Sequence, residues 1–178
     1  MSFTDHLRKS THESHKIVDS SPFVELIRTN KCSGKIYVNF NKICINIIQD
    51  TLKNNNNELI KKDFYKKMYR DIEPLDFFIS NNLLELLDRC ERYPLEHSYM
   101  FFFGLLFGGN LLTKFLPESK EFFKFENPSK LIKDFKEYLN KTVDTKEKQE
   151  SFIKIVNESY TIIALIFEEF YKKHFVTC

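Results

Sequence analysis

Histidine and cysteine are the residue types in this chain that could hold a metal or act as a nucleophile, and their spacing narrows the chemistry. The histidines are His6, His12, His15, His97 and His174; the cysteines are Cys32, Cys44, Cys90 and Cys178. No two cysteines form a CxxC pair, and no third ligand stands near His12 and His15, so a zinc site lacks its donor set. Paired Glu-x-x-His motifs, which a di-iron carboxylate bundle needs on facing helices, do not occur. Gly-x-Ser-x-Gly, P-loop and dinucleotide fingerprints are also missing. Chemistry that needs a single imidazole remains, and an axial ligand to heme iron is such a case. His15 could supply that imidazole. Asp19, four residues on, is within reach of its ring and could fix its orientation. Arg8 precedes His15 by two helical turns, ~10.5 Å along the axis, a suitable distance for a propionate. The plainer alternative is a histidine at the border of an apolar stripe, hydrogen-bonded to its neighbours.

An opposite wall would have to come from the stretch His97 to Lys114. It is almost wholly apolar, yet it carries three of the four glycines: Gly104, Gly108 and Gly109. Glycine inside a helix costs ~1 kcal/mol against alanine. Gly104 and Gly108 are four apart, share one helical face and strip it of side chains. Either a second helix crosses closely there, or a flat ligand lies across the bare backbone. This stretch by itself favours the helix crossing.

The elements that must position these residues read as helices. Residues 2–19 form an amphipathic helix with Phe3, Leu7, Thr11, Ser14 and Val18 on one stripe. A short helix follows Pro22, with Phe23, Leu26 and Ile27 inward. Gly34 to Leu52 is a long helix whose inward set is Ile36, Phe40, Ile43, Ile47 and Leu52. The run Asn54 to Asn57 is a loop. Helices over Leu59 to Tyr69, from Pro74, and from Leu83 to Arg92 lead to Pro94 and the glycine-bearing segment, which Pro117 ends. Phe122, Phe123 and Phe125 form an aromatic link. Pro128 opens a helix to about Val143, and a last one runs from Thr145 to about Lys173. No segment alternates with period two for long enough to need a sheet. The expected fold is all-α: a single domain over residues 1–178, a bundle of about eight helices without internal repeats.

Composition agrees with a globular domain: 42% hydrophobic and 29% charged residues leave enough apolar side chains for a core. A net charge of +2, with lysines spread among glutamates, gives no electrostatic case for nucleic acid. The chain opens with no signal-peptide pattern, and the apolar run is shorter than the ~20 residues a membrane span needs. A reduced, cytoplasmic protein with incidental thiols and no membrane anchor is expected.

Leu7-Arg8-Lys9-Ser10-Thr11-His12-Glu13-Ser14-His15 resembles the first helix of heme oxygenases: Leu, a basic residue, then Thr-x-Glu-x-His. His97-Ser98-Tyr99, then Gly104, then Gly108-Gly109 resembles that family's distal helix, and Phe167-Glu168-Glu169-Phe170 is similar to a segment of its last helix. The order and separation of the blocks agree over nearly the whole chain. The resemblance implies heme held between the first and the glycine-bearing helix. It implies His15 as the iron ligand, with Asp19 steadying it. Arg8 and Lys136 would serve the propionates, and Tyr99 would be among the heme-binding residues. Gly104 and Gly108 would be the catalytic positions that let the distal helix approach the heme face. The implied activity cleaves heme, with dioxygen and electrons, to biliverdin, carbon monoxide and ferrous iron. A separate ferredoxin or NADPH-dependent reductase would donate the electrons, because the chain carries no flavin or iron–sulfur motif. The protein would act as a monomer.

The sequence departs from the family at three places. The family has an aspartate directly after the first distal glycine, where it holds a water network that supplies protons; this chain has Leu105. A family arginine four residues after the matched Lys136 is Asn140 here, beside Lys141, and a distal arginine is Phe101. Heme binding is thus better supported than ring opening. A non-catalytic heme-binding or heme-sensing protein of the same fold is the main alternative, and a helical interaction protein without cofactor is a third.

Overall fold

The computed structural model describes residues 1–61, 79–106, 114–116, 122 and 124–176. The expected helices over the remainder of Leu59 to Tyr69 and from Pro74 lie largely outside these residues, as do Gly108, Gly109, Pro117 and Phe123. The described residues form eight α-helices and no strand: α1 (Phe3–Ser10), α2 (His12–Asp19), α3 (Pro22–Arg28), α4 (Lys35–Asn54), α5 (Asn81–Arg92), α6 (Pro94–Ser98), α7 (Pro128–Thr142) and α8 (Lys146–Tyr171). A 3-10 turn, Glu58–Lys61, follows α4, and α6 runs directly into a π-helical turn, Tyr99–Phe103. None of the described helices is long and apolar enough to cross a membrane.

Polar side chains mark most helix starts. The Ser2, Ser21, Ser80 and Thr145 hydroxyls accept from the backbone N–H three residues on, at Asp5, Val24, Leu83 and Lys148. Each such cap satisfies a donor that the helix itself cannot, and contributes ~1 kcal/mol. Proline opens α3, α6 and α7, where its missing N–H costs nothing.

Two expectations need correction. The first helix is not continuous over residues 2–19, because it bends at Thr11 (φ −108°, ψ 0°). The Thr11 hydroxyl donates to the Leu7 carbonyl at 2.9 Å, a back-bond that pulls the preceding turn and bends a helix. The inward face of α4 is also rotated from the expected one. Cys44, Ile45, Ile48 and Leu52 are fully buried, whereas Ile36, Ile43 and Ile47 lie at the border. This helix packs on α5, α6 and the π-helical turn together. It is apolar over so much of its circumference that periodicity fixes its phase poorly.

The long α8 is the spine of the bundle. It contacts α2, α5 and α3 most extensively, and α1 and α6 as well. The spacing predicts Phe152, Ile155, Val156, Tyr160, Ile163, Phe167 and Phe170 inward; all are buried but Ile155, which lies at the border. Phe167 and Phe170 are each 1% exposed and both meet Phe23 of α3 edge-on, with centroids 5.0 and 4.8 Å away. Burying each such ring stabilises the fold by about 1.5–3 kcal/mol. Asn157 of α8 donates to the Ser10 carbonyl at 3.2 Å, and the Ser14 hydroxyl donates to Asn157 Oδ1. The bend between α1 and α2 is thereby fixed against the spine, one turn before His15.

Candidate functional site

A cavity of about 520 Å³ opens between the α1–α2 wall and the segment that follows α6, with α4 and α8 closing its sides. That volume falls within the ~300–1,000 Å³ of small-molecule sites. Val18, Met100, Phe103, Leu105, Ile163 and Phe167 give it apolar walls, and Arg8, Thr11, His15, Asp19 and Asn41 add polar groups.

His15 lines this cavity from α2. Its ring packs edge-on against Tyr160, with centroids 5.2 Å apart. The Asp19 carboxylate lies 3.3 Å from Nδ1, so Asp19 holds the face of the imidazole that points away along the helix. A proton on Nδ1 then leaves Nε2 with its lone pair free, the state a metal ligand needs. The His15 side chain is 48% exposed, which fits a ring on the wall of an open cleft. Arg8 and Thr11 line the same wall on the N-terminal side of His15.

Across the cavity stands the π-helical turn. A π turn widens the helix by one residue and is frequent at functional sites; nothing in the local sequence announces it. Tyr99 begins it, buried, with its hydroxyl 3.5 Å from Thr11 Oγ1. Thr11 already donates to Leu7, so the Tyr99 hydroxyl is the donor in this pair. Burial pushes the Tyr99 phenol up, against the opposing pull of Thr11 and the Arg8 charge.

Gly104 follows the turn in ordinary right-handed helical geometry (φ −58°, ψ −42°) and lines the cavity. A Cβ built there meets no atom within 4 Å. Among the described residues nothing lies against Gly104, and a side chain there would enter open space at the cavity wall. Gly34 behaves in the opposite way. A Cβ there would lie 1.6 Å from Leu116 Cδ2, so that glycine admits a neighbouring side chain.

No family model matches the sequence and no curated protein matches it. Solved structures do match in three dimensions. One is heme oxygenase-1 from the cyanobacterium Synechocystis sp. PCC6803 in complex with heme (TM-score 0.74, 14% identity, 97% of this chain and 94% of that chain covered). Another is the heme oxygenase from Leptospira interrogans (TM-score 0.71, 20% identity, 95% and 100% covered). The chain has the heme oxygenase fold.

Within this heme oxygenase-like bundle, the cavity brings together Arg8, His15, Asp19, Tyr99 and Gly104, all singled out by their sequence positions. Gly108 lies outside the described residues. Lys136 is not among the cavity's lining residues; it sits half-buried on α7, where its charge acts on Asp5 of α1. Asn140, where the family pattern has an arginine, accepts from the Thr4 backbone N–H at 3.2 Å and ties α7 to α1. Leu105, 3% exposed, and Phe101, 4% exposed, both belong to the cavity wall. Among the described lining residues, Asp19 is the sole carboxylate.

Sequence reasoning missed Arg28, Tyr37, Asn41 and Tyr160 as lining residues. Tyr160 lay in the apolar register of α8 and read as core. Burial pushes its phenol well up, and pushes that of Tyr37 up to about 12. Both therefore remain neutral hydrogen-bonding groups at neutral pH.

His97 turns out to be structural. It is 0% exposed, with Nδ1 2.8 Å from the Tyr93 carbonyl and Nε2 3.1 Å from Ser159 Oγ. A carbonyl only accepts, so Nδ1 carries the proton and Ser159 donates to Nε2. Arg89 Nε donates to the same Ser159 oxygen at 3.0 Å, and its Nη2 reaches Glu158 Oε2 at 3.0 Å. Burial, reinforced by the Arg89 charge, lowers His97 to about 4 although the Tyr93 bond opposes it. This network pins α6, and so the turn that follows it, to α8.

Proposed function

We propose that the chain binds heme between α2 and the Gly104 segment and cleaves it oxidatively, as a heme oxygenase. The observation that carries this reading is the open space above Gly104, across the cavity from an imidazole whose Nδ1 faces Asp19. The residues fit the group: one nitrogen ligand, an apolar slot, and a cation, Arg8, at an edge. His15 Nε2 would hold the iron while Asp19 fixes the ring's tautomer. Arg8 would pair with a propionate, and the Tyr99 hydroxyl stands beside it through Thr11. Heme, when bound, supplies the redox-active iron and is itself the substrate whose ring is opened. The apolar wall of Met100, Phe103 and Leu105 would exclude bulk water from the ring. Electrons would come from a separate ferredoxin or reductase, with dioxygen as co-substrate.

A second reading, a heme-binding or heme-sensing protein that does not open the ring, is favoured by Leu105. An aliphatic side chain at that position cannot hold water for proton delivery, and no other described carboxylate lines the opposite wall. The test is reduction of the heme complex in air. A bilin spectrum with carbon monoxide release supports the enzyme, and unchanged heme supports the second reading. Leu105→Asp separates them further: bilin yield rises if proton delivery is the limiting deficit, and no gain contradicts that account.

A further inference from the structure

His15 and Asp19 stand on the same short helix, and their side chains are 48% and 49% exposed. An exposed contact of this kind competes with water and restrains two side chains only weakly. The imidazole torsion is itself broad, so one bond at Nδ1 leaves the ring able to swing. Asp19 can choose which nitrogen carries the proton, but it does not hold the plane of the ring. The helix adds little rigidity of its own. Of the eight residues of α2 only Val18 is buried, and a helix that short is marginal without tertiary support.

That support comes from α8, against which α2 packs most extensively. Two α8 residues three apart, and so on one face, meet α2 around His15. Asn157 grips the chain just before it: its side-chain amide donates to the Ser10 carbonyl at 3.2 Å and accepts from the Ser14 hydroxyl. Tyr160 meets the His15 ring itself, nearly perpendicular at 82° with centroids 5.2 Å apart. Tyr160 is 8% exposed, on the longest of the described helices, so it is the fixed partner and the half-exposed imidazole the restrained one. Its hydroxyl makes no hydrogen bond with the described residues, so the contact is one of ring against ring. Such perpendicular aromatic pairs are favourable and directional. We propose that Asn157 and Tyr160 are the positioning residues of the iron-binding imidazole: Asn157 fixes where the His15 backbone stands, and Tyr160 fixes the plane of its ring. The inference rests on the heme reading of the site and goes beyond it by moving the control of ring orientation from Asp19 to α8.

Two measurements test it, one without heme. In the NMR spectrum of the apo protein, the ring protons of His15 and Tyr160 should cross-relax, and the His15 resonances should be displaced by the tyrosine ring current. Tyr160→Leu should move them toward free-histidine positions, and Tyr160→Phe should leave them in place. In the reduced heme complex, the iron–histidine stretching band should be narrow in the wild type and in Tyr160→Phe. It should broaden in Tyr160→Leu and in Asn157→Ala. Asp19→Asn should shift that band without broadening it, because the acceptor at Nδ1 changes while the ring plane does not. Tyr160→Leu should also weaken ferric heme binding by ~10-fold, the usual cost of losing a residue that orients a metal ligand. Tyr160→Phe should stay within ~2-fold of the wild type. Absence of cross-relaxation between the two rings in the wild type overturns the inference, and needs no variant to fold. A cooperatively melting Tyr160→Leu or Asn157→Ala variant with the wild-type band, or a Tyr160→Phe variant with a broadened one, overturns it as well. In those cases a His15-dependent heme spectrum leaves the heme reading standing. A wild type in which the rings touch but no His15-dependent heme spectrum forms defeats that reading and this inference together.

Discussion

His15 and His97 sit in two of the three sequence blocks that resemble heme oxygenases, and their surroundings could hardly differ more. His97 is sealed in, and both ring nitrogens are spent on Tyr93 and Ser159. His15 is half-exposed on the cavity wall, with Asp19 at Nδ1 and no hydrogen bond to Nε2 from the described residues. A histidine with both nitrogens satisfied by the protein has nothing left to offer a ligand. One nitrogen oriented from within the chain and the other facing a cavity is the arrangement of a ligand-binding imidazole. The comparison separates residues that build the site from residues that use it.

Substitutions should separate them in the same way. The largest effect expected is from His15→Ala, which should abolish the imidazole-ligated heme spectrum while changing unfolding free energy by under ~0.5 kcal/mol. Spectra and denaturant melts check the pair. His97→Ala should do the reverse. It leaves a cavity and strands the Arg89–Ser159 network, costing about 3 kcal/mol by denaturant melt, with heme ligation kept in the folded fraction.

The pH dependence should follow His97. Its folded value, about 4, lies below the ordinary 6.5 of an unfolded histidine. The unfolded state therefore binds the proton first. Stability from this residue is fully present above pH 6.5 and is lost as pH falls from 6.5 toward 4, on the order of 3 kcal/mol. In the His97→Phe variant that window should flatten, as seen in melts across the same pH range. The smallest effect is at Gly104. With open space around its Cβ position, Gly104→Ala should stabilise the helix by ~0.5–1 kcal/mol yet weaken heme binding, because the methyl enters the cavity. Destabilisation would instead mean that another part of the chain lies against that backbone.

Much of this was legible in the sequence. Proline placed the starts of α3, α6 and α7, and the register of α8 named its buried face from Phe152 to Phe170 with Ile155 the exception. The spacing of Arg8, His15 and Asp19 put them on one wall. The illegible parts have physical reasons. The bend at Thr11 depends on a hydroxyl choosing the Leu7 carbonyl, which spacing does not reveal. The π-helical turn at Tyr99–Phe103 sits in a run of aromatic residues whose periodicity is blurred because every one of them is buried. Arg28 and Tyr37 reach the cavity only through the packing of α3 and α4, so no local pattern tied them to His15. Lys136 rested on the resemblance alone, and no spacing in the sequence tied α7 to the cavity.

The central claim is that His15 presents a free Nε2 to the cavity. Ferric heme titrated into the His15→Ala variant, with and without added imidazole, tests it most directly. The account predicts that the variant alone lacks the imidazole-ligated spectrum and that free imidazole, entering the space left by the side chain, restores it. A variant that ligates heme as the wild type does without imidazole, or a wild type that never takes up heme, would contradict it.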